Sequence, residues 1–321
     1  MPRFMMSPGI RYDHMTMVYN VSRLPVLLGM VLGCLVFTEV NAGNSPLVPD
    51  KKVTYKLDPK FPDQPLTLDI FYPDDFKQGQ KRPAIVFFFG GGWVGGKPSQ
   101  FYAQAAYMAS RGMVAISASY RTKKSHKVEP SGCVEDGKSA IRYIRKHAAE
   151  LGIDPDQLAV GGGSAGGHVA AATATAVGFD HPDDDVTIST VGNALVLFNP
   201  VYDNGPGAYG HDRVKEYWRQ ISPMHNLGKK VPPTIVFLGA EDSLIPVTTA
   251  MKYQRLMEEQ GNRCETFIYE GQKHGFFNLW TLSANSEYFV KTMIETDRFL
   301  ASLDFLSGKP SVEAWLDKAA E

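Results

Sequence analysis

Leu158-Ala159-Val160-Gly161-Gly162-Gly163-Ser164-Ala165-Gly166-Gly167-His168 is the stretch from which the fold can be read. Leu158 to Val160 read as the end of a buried strand. From Ser164 to Val177 the chain is Ala-rich and helix-forming. Between them, Gly162 to Gly166 fit Gly-x-Ser-x-Gly. A serine on a tight turn between strand and helix projects its hydroxyl above a sheet, and small neighbours let the two elements approach. It also stands at a helix N-terminus, where backbone N–H groups favour a developing negative charge.

Working outward, the same alternation recurs. Two leading runs, Val53 to Leu57 and Leu66 to Tyr72, read as a hairpin around Pro62-Asp63-Gln64-Pro65. Ala84 to Phe89, Met113 to Ser119, Ala194 to Phe198, Thr234 to Leu238 and Thr266 to Tyr269 read as further strands. The first two are continuous apolar runs, as expected of strands covered on both faces. Helical stretches lie at Phe101 to Arg111, Val134 to Ala149, Val247 to Glu259 and Ser286 to Leu303. The expected fold class is α/β: an eight-stranded, mostly parallel sheet with helices on both faces. Asp203 to Pro223 reads as an excursion over one end of that sheet. Asp154 and Asp156 read as a turn before a strand, and Val312 to Ala320 as a short terminal helix of no assigned role.

A serine hydroxyl needs a general base. The chain has eight histidines. His274, in Gln272-Lys273-His274-Gly275-Phe276, follows the last strand and can reach across the sheet's C-terminal edge. His168 lies one helical turn past Ser164 and is expected to face the packing side of its helix. An acid must fix the tautomer of the base. Asp242, in Gly239-Ala240-Glu241-Asp242, follows a strand end, with Glu241 as the fallback. The order Ser164, Asp242, His274 suits a serine on a strand-to-helix turn. Phe89-Gly90-Gly91-Gly92-Trp93, at another strand end, brings backbone N–H groups close with no side chain in the way. The expected oxyanion hole is the N–H of Gly91, Gly92 and Ala165. Trp93 is expected to line the substrate pocket, a packing aromatic being the other reading.

The 321 residues are 44% hydrophobic and 21% charged, with a formal net charge of −1. That balance is ordinary for a globular protein and offers no electrostatic reason for nucleic acid or an anionic membrane as partner. Arg23 precedes an apolar run, Leu24 to Phe37, shorter than the ~20 residues a spanning helix needs. With Val40-Asn41-Ala42 after it, residues 1–42 read as a signal peptide cleaved after Ala42, with Met15 and Met17 as alternative starts. An uncleaved anchor and lipoprotein processing at Cys34 are the other readings. Residues 43–321 then form one domain, secreted or periplasmic, without stable membrane insertion. It keeps Cys133 and Cys264, expected as two separate buried thiols rather than a bridge. Neither shows metal-ligand spacing. No metal or organic cofactor is implied, and oligomeric state is not readable.

These motifs resemble the α/β-hydrolase superfamily, in the esterase group of hormone-sensitive-lipase-like enzymes and secreted feruloyl and acetyl-xylan esterases. The resemblance runs from about Val53 to Leu303. It implies the triad Ser164, Asp242 and His274 and oxyanion donors Gly91, Gly92 and Ala165. Two departures stand out. The family commonly has His at the place of Phe89, which puts the rigidity of the glycine loop in question. No large N-terminal cap precedes the first hairpin, so an open cleft is expected. The implied activity is hydrolysis of short-chain acyl esters, with acetyl or feruloyl groups on polysaccharide as candidates. A peptidase of the same fold and a non-catalytic carbohydrate-binding relative are the rival readings.

Overall fold

The computed structural model describes residues 47–279 and 286–320, all within one compact unit. The expected signal peptide, residues 1–42, lies outside the described residues. Eight strands form one sheet: β1 (Lys51–Lys56), β2 (Leu66–Phe71), β3 (Arg82–Phe88), β4 (Val114–Ala118), β5 (Ile153–Gly163), β6 (Ala194–Phe198), β7 (Thr234–Gly239) and β8 (Cys264–Tyr269). Their order is β1-β2-β4-β3-β5-β6-β7-β8. β1 and β2 pair antiparallel, as do β2 and β4; every other pair is parallel.

Side chains alternate across the sheet with the period of two that a pleated strand imposes. Val86, Phe88, Ile116, Val160 and Leu197 face one layer, formed by α2 (Pro130–Lys146), α3 (Ala165–Thr175) and α4 (Val247–Glu259). Ile85, Phe87, Ala115, Val196 and Phe237 face the other, formed by α1 (Tyr102–Ser110) and α5 (Glu287–Ala301). The terminal helix α6 (Val312–Ala320) docks on this second layer, with the Trp315 ring against Tyr107 and Phe289.

The turn expected at Asp154 to Asp156 is a kink inside β5: Asp154 Oδ1 accepts from the Asp156 N–H, and the register against β3 shifts between Arg82 and Ala84. Cys133 and Cys264 are buried, unpaired thiols. Between β6 and β7 the chain makes the expected excursion, with one-turn helices at His211–Val214 and Trp218–Ile221.

Asp136, fully buried on α2, ties the antiparallel end of the sheet to its helix layer. It accepts from Arg121 Nε at 2.8 Å and from the Arg121 backbone N–H at 2.9 Å, just past β4. Lys56 of β1 donates to it at 2.8 Å. Removing Asp136 would take from Arg121 and Lys56 their one fully buried counter-charge and leave them with the less buried Glu135. Asp136→Ala is therefore expected to cost about 3–5 kcal/mol in urea unfolding; a loss below about 1 kcal/mol would contradict this reading.

Candidate active site

Ser164 follows β5 at φ 54° and ψ −119°, a region non-glycine residues seldom visit. Its N–H donates to Phe198 O at 2.9 Å, continuing the β5–β6 ladder. Its carbonyl accepts from the N–H groups of His168 and Val201. The turn closes because Gly166 has no side chain: a Cβ there would lie 2.0 Å from Phe88 O and 2.3 Å from Phe89 O.

Three strand ends converge on the hydroxyl. His274, in the loop after β8, places Nε2 2.9 Å from Ser164 Oγ and Nδ1 2.7 Å from Asp242 Oδ2. Asp242 follows β7, and its side chain is inaccessible to solvent. Its Oδ1 accepts from the N–H groups of Leu244 and Ile245, at 2.8 and 3.0 Å. The carboxylate is thus fixed from two sides and directed at the imidazole. Glu241, the sequence fallback, is exposed.

The glycine loop follows β3, the direct neighbour of β5, so it borders Ser164. A Cβ on Gly90 would lie 3.3 Å from Ser164 Cβ. The Gly90 N–H is taken by Gln100 Oε1 at 2.6 Å. The N–H groups of Gly91, Gly92 and Ala165 have no acceptor among the described residues. These are the three donors expected from the sequence, and Gly91 and Gly92 line the cleft. Gly91, at φ 126°, cannot carry a side chain: a Cβ would meet Gly95 O at 2.0 Å.

Phe89 does not leave this loop loose. Its ring stacks on Tyr120 at 4.1 Å, and the Tyr120 hydroxyl donates to Phe89 O at 2.6 Å. Gln100, having bonded Gly90, donates to Asn278 Oδ1 at 3.0 Å, and Asn278 donates to Gly275 O at 2.8 Å. That chain joins the glycine loop to the loop of His274. Arg213 donates to Gly92 O from the excursion.

Trp93 corrects the sequence reading. It is 1% exposed and does not line the cleft. A left-handed φ of 60° turns the ring under the loop, where Nε1 donates to His168 Nδ1 at 3.3 Å. Val94, 46% exposed, lines the cleft instead. The cleft holds about 330 Å³ and is bordered across from the loop by Leu244. Asn199 escaped sequence reasoning. Its amide Nδ2 lies 2.8 Å from both ring nitrogens of His274. Its place at the end of β6, a strand-end position like those of Ser164 and Asp242, was the available signal. Among the described residues no group of three or more His, Cys, Asp or Glu could hold a metal ion.

A doubly wound sheet presenting Ser, Asp and His after β5, β7 and β8, beside N–H groups with no acceptor among the described residues, has the fold and site of an α/β serine hydrolase. The family described as BD-FAE matches residues 68–198. Esterase LipQ of Mycobacterium tuberculosis is 25% identical over 236 residues, covering 66% of this chain and 54% of LipQ. An acetylxylan esterase of Xylanibacter ruminicola is 27% identical over 218 residues, covering 61% of this chain and 42% of that protein. The chain spans about half the length of these curated relatives. Esterase 2 of Thermogutta terrifontis, solved with propionate bound, superposes with a TM-score of 0.75 at 41% identity, over 81% of this chain and 96% of that one. The chain belongs to the α/β-hydrolase superfamily, in its hormone-sensitive-lipase-like esterase branch.

His168 supports a pH prediction. Burial pushes its imidazole down to about 4. The Trp93 indole can only donate, so Nδ1 accepts and the proton sits on Nε2, facing Ile221 O at 3.1 Å. An unfolded chain protonates this ring near pH ~6.5; the folded one waits until about 4. Stability should therefore fall as pH drops through that window, by up to about 1.4 kcal/mol per unit. Thermal melts from pH 7 to 4 should be less steep for His168→Gln than for the parent protein; equal slopes would refute the assignment.

Proposed function

We propose that the protein is a serine carboxylic-ester hydrolase acting on short-chain acyl esters through an acyl-enzyme. The observation that carries this is the continuous relay Asp242–His274–Ser164, with both bonds at hydrogen-bonding distance. His274 Nε2 takes the Ser164 proton as Oγ attacks the ester carbonyl. The carbonyl oxygen, now anionic, accepts from Gly91, Gly92 and Ala165. His274 returns the proton to the departing alcohol. Water repeats the sequence and releases the acid. Asp242 stays ionised, holding the Nδ1 proton and stabilising the imidazolium.

A small acyl group suits the open cleft of about 330 Å³. The propionate- and butyrate-bound forms of Thermogutta terrifontis esterase 2 lend support to short acids. Acetyl or feruloyl groups on polysaccharide remain our reading of the substrate, supported by the likeness to an acetylxylan esterase. Export, to a secreted or periplasmic location, rests on the apolar run Leu24 to Phe37 and on Val40-Asn41-Ala42.

Ser164→Ala should lower p-nitrophenyl acetate turnover by roughly 10⁴-fold or more with the melting temperature preserved. A fluorophosphonate probe should label the parent protein and not the variant. Full turnover by folded Ser164→Ala would overturn the mechanism.

A further inference from the structure

The glycine-loop wall of the cleft carries a cation whose free N–H donors the ester chemistry does not use. Arg213, on the one-turn helix His211–Val214, lines the cleft together with Tyr209 and Gly92. Its guanidinium carbon lies 5.3 Å from the Trp93 ring centroid and 5.4 Å from that of Tyr209. One Nη1 proton goes to Gly92 O. The remaining N–H donors have no acceptor, and no carboxylate lies within ion-pair distance, among the described residues. The Tyr209 hydroxyl has no hydrogen-bond partner among them either, and it borders the same spot: a Cβ on Gly92 would fall 2.9 Å from it.

A guanidinium held against aromatic faces keeps its charge, sheds part of its hydration and presents its edge as a rigid fork. A carboxylate fits that fork with two parallel bonds, and a phenol beside it adds a third donor. An ester without a charged group leaves these donors of Arg213 and Tyr209 unused. We propose that Arg213 and Tyr209 form a carboxylate subsite, so that the enzyme prefers esters whose acyl or alcohol part carries a carboxylate. This rests on the hydrolase reading above, and it adds a substrate class to that reading.

Two matched pairs test it. On the acyl side, p-nitrophenyl hemiglutarate is compared with p-nitrophenyl valerate. On the alcohol side, 3-carboxyphenyl acetate is compared with phenyl acetate. The parent protein should show a higher kcat/KM for the anionic member of at least one pair, and the preference should shrink as NaCl rises from 20 to 500 mM. Arg213→Gln should lower the anionic-to-neutral ratio of that pair at least tenfold, whatever it does to the neutral ester through Gly92. Arg213→Lys should keep part of the ratio, and Tyr209→Phe should lower it less than Arg213→Gln. A parent protein that hydrolyses the neutral esters without preferring the anionic ones overturns the subsite and leaves the hydrolase standing. So does a ratio that Arg213→Gln leaves unchanged. A parent protein that hydrolyses none of the four overturns both readings. If Arg213→Gln does not fold, the salt series, Arg213→Lys and Tyr209→Phe decide by the same ratio.

Discussion

The backbone at Ser164 is the constraint on which the site depends. A serine at positive φ carries strain of about 1–3 kcal/mol, which its surroundings must offset. The ladder bond to Phe198 O holds the turn from one side, and the two N–H groups on its carbonyl hold it from the other. The turn also needs α3 to start almost in contact with β3, over Gly166 and the carbonyls of Phe88 and Phe89. That contact has a second effect. The chain that leaves Phe89 becomes the glycine loop, so the element that fixes Ser164 also fixes where the loop's N–H groups begin.

The loop itself is a case of one task solved by different residues. Three glycines in sequence are costly to order, since glycine loses the most conformational freedom on folding. A single supporting histidine is absent here. The load is spread over the Tyr120 hydroxyl, the Gln100 amide and the Arg213 guanidinium, which bond the backbone at residues 89, 90 and 92 in turn. Because Gln100 continues through Asn278 to Gly275, the loops on either side of Ser164 share one hydrogen-bonded support. A shift of the glycine loop would then be felt at the loop of His274, which ties the placement of the glycine N–H groups to that of the imidazole.

Much of this was legible in the sequence, for identifiable reasons. Strands buried on both faces announce themselves as apolar runs; Ala194–Phe198 was read with its observed limits. The helix at Val247–Glu259 was too, because its apolar spacing persists over several turns and Pro246 marks its start. The strand-end positions of Ser164, Asp242 and His274 followed from the alternation, and the structure brings the three side chains together. What escaped was local backbone sign and aperiodic chain. Trp93 sits beside the cleft in sequence, yet one left-handed dihedral angle turns it inward, and no pattern of letters encodes that sign for a tryptophan. One-turn helices such as His211–Val214 are too short to show any period, so Tyr209 and Arg213 could not be placed against the site.

Asn199 puts a neutral amide against the imidazole of His274. The ring's Nδ1 is committed to Asp242 and its Nε2 to Ser164, so the Asn199 amide meets the ring without a free in-plane site to bond. Its Oδ1 is buried without a hydrogen-bond partner among the described residues. A carboxylate in that place would compete with Asp242 for the imidazole and hold the ring charged, which disables a base that must accept a proton. An amide does not: it carries no net charge and leaves the Nδ1 side of the imidazole to Asp242, with its Nδ2 against the ring. Asparagine also tolerates the left-handed φ of 36° that the chain adopts as it leaves β6. The residue therefore satisfies a backbone requirement and an electrostatic one at the same strand end.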